Sequence, residues 1–294
     1  MFRRERKLKK YLDELPEARC LGSYEDGSTE WHSIRSGGIG GSELGTILGL
    51  NPWESAYTLF HKRKGNIDNS VEENWSIRFG KAFEKPILDL YAQEHPEQEL
   101  FLTGTYANKD NSWMQANPDA LAKVDGEWKI IEVKTARAGW SELPPSYEAQ
   151  VMWYMMVTGI RKAVVVAVAG MTWNEYEVEY NEFTANIYAE KAQKFWDSLG
   201  IDKAPDWDGA KSTYETERKL HPHIEDVDVE LPPELWEELS LGTQNLAQVE
   251  AQVNKTKSRI LAHMGTARYG HVNGTRVVSR QARGKGAPYL VVTK

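Results

Sequence analysis

Two acidic residues flank a short turn whose sequence fixes how they face each other. Asp125-Gly126 is a strong signal for a two-residue hairpin, because a type I′ turn needs positive φ at both central positions. With these residues as the loop, the strand register places Asp119 directly opposite Glu132. Opposed side chains point to one face with Cβ atoms about 5 Å apart, so the carboxylates repel unless a cation lies between them. The hairpin therefore favours a site for a hard divalent cation.

The second strand of this hairpin carries a charged pair on an otherwise apolar face. Trp128, Ile130, Glu132 and Lys134 alternate along the strand and share one face. Such a face predicts a cleft at the end where Glu132 and Lys134 lie. A Glu-x-Lys tripeptide alone is more often a solvated strand end, and the opposing Asp119 is what favours a site.

Three further polar positions are weaker candidates. Glu84 lies within a predicted helix, and spacing alone favours a place on the surface. Gln150 and Tyr147 lie three residues apart on one face of the helix that follows the Glu132 strand. A glutamine amide beside carboxylates can position water or a phosphate oxygen, although such residues more often serve packing.

Residues 36–50 predict a glycine-rich turn that leads into a short helix capped by Ser42. A helix N-terminus with free amides, a capping hydroxyl and the nearby guanidinium of Arg35 makes a good anion site. Glycines also let a phosphate approach the backbone closely. An ordinary loop is the alternative interpretation of this segment.

Composition restricts the class of protein. The chain has 294 residues, of which 40% are hydrophobic and 27% charged, as in an ordinary globular protein. Its single cysteine, Cys20, excludes an internal disulfide, an iron–sulfur cluster and a cysteine zinc site. No apolar run has the length of a membrane span, and no apolar segment follows the basic first residues. We therefore expect a cytoplasmic protein.

The charge distribution predicts separate segments. The net charge of −7 argues weakly against a general affinity for nucleic acid, but basic residues dominate both ends of the chain. Acidic residues dominate 213–250, and solvated faces or tails are an equally good explanation of each run. We predict four segments: a basic arm over 1–20, a core over 21–205, an acidic linker over 206–231 and a C-terminal extension over 232–294.

The periodicity of the core favours a mixed α/β (α+β) fold with flanking helices. A helix over 146–158 should end at Gly159, and the apolar run 163–169 is typical of a strand buried on both faces. An outer strand over 175–180 and a helix over 182–199 follow.

The C-terminal extension should contain a long helix and a β-hairpin. The helix runs from Pro232-Pro233 to about Met264, and an apolar residue recurs every seventh position from Leu239 to Ile260. That stripe should pack against a partner, but Gly242 and Thr256 at the intervening d positions argue against a sustained coiled coil. Asn273-Gly274 predicts a hairpin, and 289–293 a last strand.

Five blocks in fixed order carry a resemblance to a known family. They run from Trp31 to Ser42, Gly80 to Pro86, Asn117 to Asp119, Glu132 to Thr135 and Tyr147 to Gly159. Together they resemble the YqaJ-type viral recombinases, the family of phage lambda exonuclease within the PD-(D/E)xK nuclease superfamily. The resemblance implies a nuclease core with a mixed central sheet, and 5′-to-3′ digestion of linear double-stranded DNA that leaves 3′ single-stranded tails.

The resemblance also implies roles for individual residues and partners. Glu84, Asp119 and Glu132 match metal-ligating acids, with the carbonyl of Val133 as a further ligand, and Lys134 matches the catalytic lysine. Gln150 matches an active-site helix residue, and Tyr147 lies in the same block. Arg35 and Ser42 match residues that hold a terminal 5′-phosphate. Implied partners are two Mg²⁺ ions (or Mn²⁺), duplex DNA ends, a single-strand annealing protein and further copies in a trimeric ring.

Two other interpretations stay open. One is a structure-specific or restriction-type endonuclease of the same superfamily. The other is a non-catalytic DNA-binding scaffold for recombination with a degenerate site. The intact acid–acid–lysine set disfavours the scaffold.

Overall fold

A computed structural model describes residues 12–24, 27–69, 74–284 and 286–293 of the protein. The chain divides into two compact units, Met1–His223 and Ile224–Lys294, called here the first and second units. No helix among the described residues combines the length and hydrophobicity that crossing a lipid bilayer requires.

A five-stranded mixed sheet forms the centre of the first unit. Its strands, numbered in chain order and given in spatial order, are β2 (Glu99–Phe101), β5 (Ala120–Val124), β6 (Glu127–Ala136), β7 (Lys162–Ala169) and β8 (Thr172–Glu179). β6 and β7 are parallel, and the other neighbours are antiparallel. A parallel pair needs a crossover connection, which the helix α5 (Pro145–Thr158) supplies. The predicted α/β fold with a mixed sheet is confirmed.

Among the described residues, a smaller sheet and six more helices complete the first unit. The strands β1 (Ala18–Gly22), β3 (Thr105–Asn108) and β4 (Gln115–Ala116) pair antiparallel in the order β1-β3-β4. The helices are α1 (Thr29–Ser36), α2 (Gly41–Ile47), α3 (Ala56–Arg63), α4 (Trp75–Glu94), α6 (Glu182–Gly200) and α7 (Lys211–Leu220).

The central sheet separates two hydrophobic clusters. On one face Ile130 of β6 packs in a cluster with Trp153 of α5. On the other face Ile131 packs in a cluster with Leu88 and Tyr91 of α4. Alternation along β6 therefore puts Glu132, which has the parity of Ile130, on the α5 side of the sheet.

The local signals for turns and helix ends are confirmed. Asp125 and Gly126 have φ of 50° and 90°, as a type I′ turn requires. Gly159 ends α5 with a φ of 76°. α4 continues through Pro86 without a second start.

The predicted acidic linker is wrong in its first part, because α7 is packed against α3. Thr213 donates a hydrogen bond to Ser55 Oγ at 2.7 Å, and Thr58 and Thr216 join their hydroxyls at 2.9 Å. Both threonines of α7 are buried. The boundary between the units consequently falls after His223 rather than at residue 205.

The predicted basic arm is also corrected. Residues 1–11 lie outside the described part of the chain. Residues 12–20 belong to the folded core, because Leu15 and Ala18 are buried and the Tyr106 hydroxyl donates to the Leu12 carbonyl at 3.0 Å. The prediction failed here because the apolar residues are few and depend on β3 for cover.

The second unit has the helix and hairpin that the sequence predicts. α8 (Pro233–Met264) is followed by β9 (Tyr269–Val272), β10 (Thr275–Gln281) and β11 (Tyr289–Val292), which form an antiparallel sheet in the order β11-β10-β9. Asn273 and Gly274 form the turn with φ of 50° and 79°.

Candidate active site

The hairpin register that places the acid pair is confirmed by the structure. Val124 pairs with Glu127 and Ala120 with Ile131, so Asp119 comes directly before β5 and opposite Glu132. There the carboxylate of Asp119 turns to the backbone of β6, where Oδ2 accepts a 2.6 Å hydrogen bond from the Val133 amide. This bond fixes one oxygen of Asp119 beside the base of Glu132.

Glu132 is a buried carboxylate with only one of its oxygens satisfied. Its side chain is 2% exposed, and Oε1 accepts from Lys134 Nζ at 2.6 Å and from Gln150 Nε2 at 2.7 Å. Oε2 is buried and accepts no hydrogen bond from any described residue. Since an unpartnered buried carboxylate oxygen is strongly destabilising, this atom marks a place for a cation.

The charges in this site shift the protonation of two groups. Burial raises the pKa of Asp119 well above its usual range, and the charges of Glu132 and Glu84 raise it further, against the opposing effects of Lys134 and the Val133 amide. Burial lowers the pKa of Lys134, but the charges of Glu132 and Asp119 outweigh that effect and the pKa is raised. Lys134 is therefore held as a cation amid an excess of negative charge.

A cleft of about 380 Å³ opens onto these acids, and it is called here the acidic cleft. Six of the nine predicted site residues line it: Arg35, Ser42, Glu84, Asp119, Glu132 and Gln150. Its other walls come from 23–24, Trp31, 102–105, 117–118 and Tyr154. Strands and helices distant in sequence thus bring the predicted residues together.

The remaining predicted residues lie beside the acidic cleft rather than in its lining. Lys134 reaches it through Glu132, and the ring of Tyr147 lies 5.0 Å from Lys134 Nζ. Tyr147 also contacts Trp140, with ring centroids 5.1 Å apart. Tyr147 therefore supports the lysine. The amide of Val133 is used by Asp119, and a ligand role for the Val133 carbonyl stays a prediction.

The donor chemistry suits a hard divalent cation, although the ligands are not fully assembled. Asp119, Glu132 and Glu84 supply carboxylate oxygens around one cleft, and the unpartnered Oε2 of Glu132 is suited to a metal. Among the described residues, however, no three acidic, histidine or cysteine side chains converge as a ready-made metal site. A cation held here would have to draw the three acids together, which would relieve their mutual repulsion.

The helix beside the predicted anion pocket has a different N-cap residue from the one expected. Gly40, not Ser42, is the N-cap of α2, and its amide donates to Glu43 Oε2 at 2.8 Å. Ser42 instead lies in the first turn of α2 and faces the acidic cleft. Arg35 lies 4.6 Å from the Trp31 ring centroid. No guanidinium hydrogen bond from Arg35 to a described residue occurs, so its donors are available for an anion.

Two glycine positions in this turn serve packing. A Cβ at Gly41 would lie 2.5 Å from the Tyr154 ring, because α2 crosses α5 closely. A Cβ at Gly38 would lie 2.4 Å from the Trp113 carbonyl oxygen. The two glycines thus allow the close packing that places Ser42 at the acidic cleft.

Arg63 holds the turn in place, and sequence reasoning missed it. From the end of α3 its guanidinium forms a two-pronged pair with Glu43 and donates to the carbonyls of Gly38 at 2.5 Å and Arg35 at 3.2 Å. The arginine therefore links the end of α1 to the start of α2. Its position at a helix C-terminus gave no signal of this role.

Tyr154 is a second residue that the sequence analysis did not single out. Its hydroxyl accepts from Gln150 Nε2 at 2.8 Å, and its side chain is 4% exposed. Burial, together with the charges of Glu132 and Asp119, raises the pKa of Tyr154 well above its usual range, so the phenol stays protonated. Its position four residues after Gln150, one helical turn away, was the available signal.

The mixed sheet and the crossover helix form a fold that solved structures share. The solved structure of the alkaline exonuclease LHK-Exo from Laribacter hongkongensis superposes with a TM-score of 0.50 at 17% identity, over 66% of this chain and 99% of that one. Its complex with dAMP gives a TM-score of 0.51 with the same coverage and identity. At this level of identity the likeness establishes the fold.

Sequence comparisons report similarity to one family and to individual proteins. Residues 30–161 match the model of the YqaJ-like viral recombinase domain. The chain is similar to the uncharacterized protein YqaJ of Bacillus subtilis (strain 168), with 26% identity over 257 residues, 83% of this chain and 80% of that protein. It is also 34% identical over 83 residues to protein D345L of African swine fever virus (strain Badajoz 1971 Vero-adapted), which is 27% of this chain and 24% of that protein.

Proposed function

We propose that the protein is a metal-dependent exonuclease that digests linear double-stranded DNA from 5′ to 3′ and leaves 3′ single-stranded tails for recombination. The observation that carries the proposal is the buried Glu132, with one oxygen bonded to Lys134 and the other unpartnered in a cleft shared with Asp119 and Glu84. The viral recombinase domain and the exonuclease-like fold support it.

Asp119, Glu132 and Glu84 would hold two Mg²⁺ ions, for which Mn²⁺ could substitute, with the Val133 carbonyl as a further ligand. When bound, such ions lower the pKa of water and neutralise charge on the scissile phosphate. Two of the acids are held in place by neighbours, Asp119 by the Val133 amide and Glu132 by Gln150 and Lys134. Gln150 is itself fixed through Tyr154.

Lys134 is the group that would act on the attacking water. Its raised pKa keeps it cationic, so it orients the water through N–H donors and offsets charge that builds on the phosphate. The ring of Tyr147 limits the directions that the ammonium group can take. Lys134 would thus work as an electrostatic stabiliser of the transition state rather than as a free base.

Arg35 and Ser42 would recognise the terminal 5′-phosphate. The guanidinium lies on the acidic cleft with donors available, and Ser42 follows the N-terminus of α2. A cationic contact at the end of the substrate explains why a free 5′ end would be preferred to an internal site. A trimeric ring and a single-strand annealing protein are further proposals that follow from the family.

The decisive experiment uses linear duplex DNA with one 5′-phosphorylated and one 5′-hydroxyl end, each strand labelled with its own dye, in the presence of Mg²⁺. We expect the phosphorylated strand to disappear from its 5′ end while the complementary strand survives. A covalently closed circular duplex should remain intact. Loss of the circle would favour an endonuclease, and digestion from the 3′ end would refute the proposed direction.

Metal dependence is tested in the same assay. Excess EDTA should stop digestion, and Mg²⁺ added beyond the chelator should restore it. A variant with Asp119→Ala should stay inactive at every Mg²⁺ concentration. Full activity in excess EDTA would refute the metal requirement, and undiminished activity of the Asp119→Ala protein would refute the site.

A further inference from the structure

The α8 helix of the second unit exposes an extended apolar face. It has 32 residues, so it is about 48 Å long, and none of its residues is buried. Helices of this length in water are normally stabilised by packing an apolar face. The hairpin sheet that follows contacts the end of α8 at Met264 and at the carbonyl of Gly265.

Six apolar residues of α8 form one stripe with a coiled-coil spacing, while Trp236 and Leu241 lie outside it. The stripe contains Leu235, Leu239, Leu246, Val249, Val253 and Ile260. Successive members are three, four or seven residues apart, as in a heptad repeat. Five of them are 44–64% exposed, and Ile260 is half-buried. This stripe, called here the α8 stripe, is typical of a two-helix interface.

Charge along the helix selects a second copy of the same helix as the partner. Three of its four acidic residues lie in the first part, at positions 234, 237 and 238, with Glu250 near the middle, and its lysine and arginine residues lie in the last part, at positions 255, 257 and 259. Two such helices attract each other when they lie antiparallel and repel at both ends when they lie parallel. An isologous contact about a two-fold axis has this self-complementary character.

We infer that the α8 stripe pairs antiparallel with the α8 stripe of a second copy of this chain. With the small residues Gly242 and Thr256 added at the intervening positions, the stripe is symmetric about a point between Ala247 and Gln248. Aligning the two stripes on that centre sets Leu246 against Val249 of the second copy and Leu235 against Ile260. The two small positions in the stripe are then filled, because Gly242 faces Val253 and Thr256 faces Leu239.

The same alignment makes a specific prediction about charge. Glu238 and Arg259 flank the stripe on one side and lie opposite each other in the two copies, twice per pair of helices. Glu237, by contrast, lies on the side of α8 that faces away from the stripe. The chain therefore offers a test residue and a matched control with the same charge on adjacent positions.

The first experiment measures self-association of the full chain by sedimentation equilibrium. Glu238→Arg should raise the dissociation constant by roughly tenfold or more, because two attractive pairs become repulsive. Adding Arg259→Glu to that variant should restore wild-type association, whereas Glu237→Arg alone should change it less than about twofold. Equal effects of the two glutamate changes, or no rescue in the double variant, would overturn the inference.

The second experiment distinguishes α8 pairing from self-association through the first unit. Leu246→Glu would place a charge in the centre of the interface between the two α8 stripes. The mass of the particle in solution should therefore fall to half or less, while the rate of DNA digestion per chain is unchanged. A wild-type protein with the same mass as the Leu246→Glu variant would overturn the inference. The same result is expected if another part of the same chain, or a different protein, packs on the α8 stripe.

The third experiment measures helix direction with spin labels in a Cys20→Ser background. Labels at Gln244 and Ser258 lie on the same outer face of α8. In the antiparallel pair the two copies of position 244 are separated along the axis by about 10 Å, and those of position 258 by about 31 Å. Equal distances at both positions would indicate parallel helices and overturn the inference.

Discussion

The acidic cleft of the first unit and the α8 stripe of the second are opposite violations of the rule that charges lie outside and apolar groups inside. In the cleft, Glu132 is 2% exposed and Lys134 reaches it from the same strand. On α8, Leu246 and Val249 are each 60% exposed. A buried charge with fixed partners indicates chemistry, while an exposed apolar stripe indicates assembly. The contrast teaches that substitutions in the two regions should change different measurements.

The largest expected effect tests the proposed chemistry of the acidic cleft. Lys134→Ala should lower the rate of DNA digestion by roughly 10³-fold or more, because a cation at the reacting phosphate is removed. The measurement is single-turnover digestion of a 5′-phosphorylated duplex. Lys129→Ala is the matched control on the same strand: Lys129 pairs with Glu177 at 3.4 Å, away from the acidic cleft, and its loss should matter less than about twofold. Equal losses in both variants would remove the distinction.

A second prediction compares the folding roles of the two regions. Trp153 is fully buried on α5 and donates to the Gln115 carbonyl at 2.8 Å, so Trp153→Ala should lower the free energy of unfolding by about 3–5 kcal/mol. Leu246→Ala on α8 should change it by less than about 0.5 kcal/mol. Urea unfolding at a protein concentration below that of self-association measures both. A loss at Leu246 as large as that at Trp153 would show that α8 belongs to a core.

A third prediction sharpens the contrast within the first unit. Arg63 holds the turn between Arg35 and Glu43, so Arg63→Ala should reduce the preference for a 5′-phosphate over a 5′-hydroxyl end by roughly tenfold. Digestion of 5′-hydroxyl ends should fall much less. Arg161→Ala is the control, because that exposed arginine pairs with Glu17 at 2.7 Å. An unchanged preference in the Arg63 variant would separate the turn from phosphate recognition.

The smallest expected effect concerns Tyr154. Its hydroxyl fixes Gln150, which in turn donates to Glu132, so Tyr154→Phe should slow digestion by roughly twofold to tenfold. In this variant Glu132 is less well oriented but still present. Raising the Mg²⁺ concentration should therefore recover part of the lost digestion rate. Tyr180→Phe is the control, since Tyr180 lies under Arg161 and not in the acidic cleft. A Tyr154 variant identical to wild type would show that Gln150 needs no such support.

Local signals in the sequence were sufficient where one residue decides the backbone. Asp125-Gly126 predicted a turn, and that turn fixed the strand register and with it the opposition of Asp119 and Glu132. Gly159 predicted the end of α5 in the same way. The predicted catalytic and metal-binding roles of these acids, and of Lys134, stay predictions that the digestion assay tests.

Patterns of hydrophobicity failed where packing is polar. α7 was predicted as part of a linker because residues 201–231 are acidic and contain prolines, yet its threonine hydroxyls bind Ser55 and Thr58 at the start of α3. Ser42 was predicted as a helix cap because serine prefers that position, but the backbone enters α2 two residues earlier. For α7 the outcome depended on a neighbour that is distant in the chain.

The amino-acid sequence by itself determined the strands, the turn residues and the spacing that sets two acids opposite each other, because those depend on φ preferences and on the two-residue period of a strand. It also determined the α8 stripe, because a seven-residue repeat is a property of one helix. Only the tertiary structure decided that Arg63 holds the glycine-rich turn, that Tyr154 orients Gln150 and that one oxygen of Glu132 has no partner among the described residues. Those features depend on burial and on contacts between elements far apart in the chain, which no local pattern records.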